Sequence, residues 1–184
     1  MNCINRLELA LIENIRLLWS QHANWTGAAV TSIILKTPNE EYVVNRLLRN
    51  PKDFEVALTP FYGKVCAHHF NDLLTEHLQL AAQLIKAIMA GEPCEARQLK
   101  KQWYANADDI SMFLGSINPY WSADEWRAMF YIHLGYIMDE VHHLINKEYQ
   151  KAIEVQDRLE LEALEMGDMM ARGILMQFPY MFCR

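Results

Sequence analysis

Three histidines stand where a helical stripe otherwise carries apolar side chains, and they recur at a nearly constant interval: His22, His77 and His133, 55 and 56 positions apart. The stretch from Leu73 to Leu114 reads as one helical hairpin, with His77 on its first arm, Asp109 on its second and a turn at Gly91-Glu92-Pro93. Moved forward by 56 positions without a gap, it lays His77 on His133, Ile85 on Val141, Asn106 on Glu162, Asp109 on Glu165 and Leu114 on Met170. Moved backward by 55 it lays His77 on His22 and Ile88 on Ile33; moved backward by 56 it lays Asn106 on Asn50, Asp109 on Asp53 and Leu114 on Leu58. Self-similarity at such a period marks a repeated unit that buries its apolar face only against its neighbours. It predicts one domain spanning 1–184, built from His/acid hairpins at about 4–58, 60–117 and 122–176.

The predicted fold is all-α, an up-and-down antiparallel bundle of five or six helices. Apolar residues recur at Ile4, Leu7, Leu11, Ile15, Leu18, Trp25, Ala29 and Ile33, then along later segments, at the spacing of one helix face. Thr37-Pro38-Asn39 ends the first helix, because the residue before a proline is pushed out of helical geometry. Asn50-Pro51 and Thr59-Pro60 read as helix starts, Gly91 as a stop followed by Pro93, and Ser122-x-x-Glu125 as a capping box. The aromatic tail, Phe178 to Phe182, is expected to pack back on the bundle.

Composition narrows the function classes. Seventeen basic against 23 acidic residues, with no basic run that could follow a phosphate backbone, argue against nucleic acid as a partner. No apolar run approaches the roughly 18 residues a membrane span needs, and Met1 to Ala10 lacks the apolar core of a signal peptide. A soluble, cytoplasmic chain without membrane association is expected. The cysteines, Cys3, Cys66, Cys94 and Cys183, show no Cys-x-x-Cys spacing, so reduced thiols are expected. Phosphate loops, dinucleotide fingerprints and nucleophile elbows are absent, so no nucleotide cofactor is expected.

Counting from the turns at about 1.5 Å rise per residue puts His77, Asp109, His133 and Glu165 within one or two helical turns of a common level. His22 and, less directly, Asp53 join them through the repeat. Imidazole and carboxylate buried without partners cost several kcal/mol, so a polar layer must be satisfied from within. Two readings do this. In one, His22, His77 and His133 bind a transition metal (Fe, Mn, Zn or Ni), with Asp109 and Glu165 completing the shell or orienting the imidazoles. In the other, a non-enzymatic bundle working as a homo-oligomer or through a partner uses the layer only to fix helix register. Glu140-x-x-His143 matches the carboxylate-histidine pair of diiron bundles, but only once. Met166, Met169 and Met170 have core spacing, His68 and His69 read as surface residues, and Glu76 as a solvated or supporting neighbour of His77.

The stretches LWSQH at 18–22, NRLLRNPKDF at 45–54, LTPFYG at 58–63, WYANADDI at 103–110 and FLGSINPYW at 113–121 resemble a family of small helical proteins from Bacillus- and Clostridium-type bacteria. Some carry the label acetylglutamate kinase, an α/β enzyme with Gly-rich phosphate loops, features this sequence lacks. In its inward histidines the chain is also similar to hemerythrin-like, ferritin-like and DinB-like metal bundles, an analogy of fold only.

Overall fold

Asn5 starts the first helix by accepting hydrogen bonds from the Leu7 and Glu8 amides, while the Glu8 side chain accepts in return from the Asn5 backbone N–H. In the computed structural model, which describes residues 5–183, helix α1 then runs Arg6–Leu35. It is followed by α2 (Glu40–Leu48), α3 (Asn50–Ala90), α4 (Pro93–Ile117), α5 (Ala123–Ile145) and α6 (Tyr149–Gln177), with a single 3-10 turn at Pro179–Met181. No strand occurs among the described residues. The chain is an all-α bundle, and no described helix is long and apolar enough to cross a membrane.

Helix ends follow the local chemistry. Gly91, at φ +73°, takes the left-handed conformation that closes α3, and Ser122 Oγ accepts from the Glu125 amide at the start of α5. Two expected start signals behave otherwise. Asn50 does not cap α3; it is the first helical residue, fully buried, with its side chain turned into the core. Thr59-Pro60 interrupts nothing, since Thr59 Oγ1 donates to the Glu55 carbonyl within a continuing helix. The departure from helical geometry comes at Gly63, at φ 74° and ψ 167°, where α3 kinks.

Helix α1 packs on α6 and α3, α3 on α4, α4 on α5 and α5 on α6, so five long helices close a ring, with α2 lying across α1 and α3. Trp19, Trp103 and Trp126, together with Phe54, Phe70 and Phe130, fill its centre. Trp19 stacks on Trp126 at 6.1 Å and meets Phe54 edge-on at 5.2 Å. The tail packs back as expected: Phe61 lies against Phe178 and Phe182, and Asn5 Nδ2 donates to the Phe182 carbonyl.

Candidate metal centre

Each of the three histidines projects from the inward face of its helix and is at most 1% exposed. Each meets a side chain 28 or 29 residues further on: His22 Nδ1 lies 3.1 Å from Asn50 Oδ1, His77 Nδ1 2.8 Å from Asn106 Oδ1, and His133 Nδ1 2.8 Å from Glu162 Oε2. The amides are held from their other end. Asn50 Nδ2 donates to the Leu18 carbonyl at 3.0 Å, and Asn106 Nδ2 to the Leu73 carbonyl at 3.1 Å, each carbonyl belonging to the residue four before its histidine. With the amide nitrogen committed to a carbonyl, the amide oxygen faces the ring and can only accept. Nδ1 therefore carries the proton in His22 and His77, and their Nε2 atoms present lone pairs. The Glu162 carboxyl oxygen plays the same accepting part for His133.

The Nε2 atoms of His77 and His133 are buried and have no hydrogen-bond partner, and neither does Glu162 Oε1. The rings of His22 and His133 lie 5.4 Å apart, centre to centre. Burial, then the neighbouring imidazoles of His133 and His77, pushes His22 down to about 3 against the opposing hydrogen bond from Asn50. His77 is likewise pushed down to about 3, by burial first and by His133 last, with Asn106 opposing. Both rings are neutral at any ordinary pH, the state a metal ligand needs. Among the described residues, no three His, Cys, Asp or Glu side chains already converge as a metal-ligand group. The three rings share a neighbourhood without yet sharing a point.

The acids expected in this layer are elsewhere. Asp109 and Glu165 are exposed, and Asp53 is partly exposed and paired with Arg49. Their places are taken by Asn50, Asn106 and Glu162, residues the repeat also aligned but one helical turn earlier. Glu76 does support the layer from outside, its Oε2 accepting from Asn106 Nδ2 at 3.3 Å. His143 is held by Glu148 at 2.7 Å, so Glu140-x-x-His143 does not act as a pair. Met166 and Met170 are fully buried core residues, and His68 and His69 are exposed.

Beside His22 and His77 opens a cavity of about 210 Å³ between α1, α2 and α3, lined chiefly by Ala29, Val30, Ile33, Leu47, Leu78 and Ile85. It gives the cluster an apolar, sheltered approach. No family model, curated protein or solved structure matches the chain.

Proposed function

We propose that this protein binds a transition-metal ion through Nε2 of His22, His77 and His133, leaving a coordination position toward the apolar cavity. The observation that carries this reading is the pair of buried, partnerless Nε2 atoms on His77 and His133. A buried acceptor with no donor is costly, and a cation held between the rings would satisfy both of these nitrogens at once. The Nδ1 contacts are of the kind that orient ligating imidazoles and raise their basicity. Two imidazoles sharing a metal at 2.0–2.1 Å have ring centres about 5 Å apart, close to the 5.4 Å between His22 and His133. An all-nitrogen set suits Zn, Ni, Fe or Cu better than Mn, now that Asp109 and Glu165 stand outside it.

Loading would draw the rings together. Trp19 and Trp103 pack on His22 and His77 at 5.5 and 5.4 Å, so their fluorescence would report it. The experiment is elemental analysis of untagged protein reconstituted with Zn, Ni, Fe and Mn salts and desalted. One equivalent of metal, lost in His133→Ala, is expected. Substoichiometric metal with every salt would instead favour a purely structural layer, a reading supported by the way Asn50 and Asn106 tie their histidines to backbone carbonyls.

A further inference from the structure

On the opposite side of α1 from the apolar cavity lies a second one, of about 550 Å³, between α1, the α5–α6 turn region and the start of α2. Its wall holds the carboxyl of Glu140, a residue only 4% exposed whose Oε2 has no hydrogen-bond partner. Gln156 faces the same cavity. Its Nε2 donates to the Ala23 carbonyl at 3.4 Å, which fixes the amide so that Oε1 is the free end, and Oε1 too is buried without a partner. Gly27 makes that placement available, because a methyl group there would overlap the Gln156 carboxamide.

Two hydroxyl donors of the wall are used locally. Ser32 Oγ donates to the Ala29 carbonyl at 2.9 Å and Thr37 Oγ1 to Asn39 Oδ1 at 2.6 Å. No Lys, Arg or His lines the cavity, so Glu140, the one carboxylic acid of its wall, has no countercharge there. Burial alone pushes the Glu140 carboxyl up to about 7, a sign of how little surrounds it to stabilise charge. The remaining wall mixes apolar side chains, Leu144 and Ile153 among them, with Asn24, Thr31, Asn39 and Tyr149.

We propose that this cavity is a binding site for a small organic ammonium ion, whose N–H groups donate to the Glu140 carboxylate while its hydrocarbon body lies against Leu144 and Ile153. A primary ammonium carries a positive charge, three donors and no acceptor, which suits a buried carboxylate that no cation of the wall compensates. One carboxylate is too few for a divalent cation, which takes several oxygen ligands. The site is independent of the histidine cluster and needs no metal.

The test is a titration of the ¹⁵N-labelled full chain at pH 7.5 with benzylammonium chloride, in parallel with benzyl alcohol, KCl and CaCl2. Saturable shifts of the Gln156 side-chain amide and the Gly27 backbone amide are expected with benzylammonium alone, with at least a tenfold weaker affinity in Glu140→Gln. Equal shifts with benzyl alcohol would overturn the proposal in favour of a merely apolar groove, and equal shifts with CaCl2 in favour of an inorganic cation. Absence of a saturable shift, or an unchanged affinity in a folded Glu140→Gln protein, would also overturn it. Should that variant not fold, the wild-type contrast between benzylammonium and benzyl alcohol decides the matter.

Discussion

At the residue scale, the third histidine pair differs from the other two in having a glutamate where they have an asparagine, and that difference is testable. Asn50 and Asn106 each accept from a ring and donate to a carbonyl. Glu162 accepts from His133 but has no donor, and its Oε1 is left without a partner. Glu162→Gln should therefore leave stability unchanged or slightly raised, while lowering metal affinity by about 10- to 100-fold through loss of the anionic support to His133. Metal titration alongside urea unfolding separates the two effects, and equal affinity in the variant would show that Glu162 has no part in metal binding. Asn106→Ala behaves oppositely, stranding the His77 Nδ1–H in the core, while the Leu73 carbonyl keeps its helical partner. A loss of about 1–3 kcal/mol in urea unfolding is expected, the cost of one unsatisfied buried group. The histidines were legible in the sequence because each interrupts an apolar stripe. Their partners were misassigned for two physical reasons. Counting from the turns fixes depth to about one helical turn but not rotation about the axis, and Asp109 and Glu165, three residues past Asn106 and Glu162, are turned about 60° toward solvent. The search for acids also passed over asparagine, whose carboxamide accepts from imidazole as readily as a carboxylate does and satisfies a carbonyl besides.

At the scale of elements, periodicity revealed the helices because five of them bury one continuous face, and the ends at Gly91 and Ser122 were legible because their backbone demands are local. The path of α3 was not. Proline at 60 reads as a start, yet the preceding turn stays helical, and the kink falls at a glycine whose neighbours carry no turn signal. At φ 74° and ψ 167°, Gly63 occupies a region that residues with a Cβ essentially do not enter. The space around it is open, with no heavy atom within 4 Å of an added methyl group, so any cost of substitution is conformational. Gly63→Ala is expected to destabilise the protein by about 1–3 kcal/mol. Thermal unfolding checks it, and an unchanged midpoint would mean that α3 can straighten without penalty. Gly173 is the contrasting case. Its backbone is ordinary, but an added methyl group would overlap the Trp121 indole, which donates to the Met169 carbonyl at 3.2 Å. The requirement at Gly173 leaves no trace in the sequence, because it depends on a partner from a distant part of the chain.

At the scale of the whole molecule, burial has set titratable groups against one another, and stability should vary with pH in a way that identifies each. His22 and His77 have folded-state values lowered to about 3 by burial, well under the ordinary histidine value. Below about pH 6.5 the unfolded chain takes up protons that the folded chain refuses, so stability is present above that pH and is lost as pH falls toward 3. Glu140 has the opposite displacement: burial raises it to about 7, so the folded chain holds a proton that the unfolded chain has released. Its contribution is intact below about pH 4.5, is lost as pH rises through about 7, and stays lost above. Between about pH 4.5 and 6.5 two histidines outweigh one carboxyl, and the metal-free wild type should still weaken as the solution is acidified. Glu140→Gln removes only the opposing member. The variant should match the wild type near pH 4 and exceed it at pH 8 by up to about 3 kcal/mol, the free energy of a shift of about two and a half pH units. Urea unfolding of chelator-treated protein from pH 4 to 8 measures both slopes. A constant offset between variant and wild type across that range would mean that Glu140 is ionised as freely in the bundle as in water, and its wall would then need no cationic occupant.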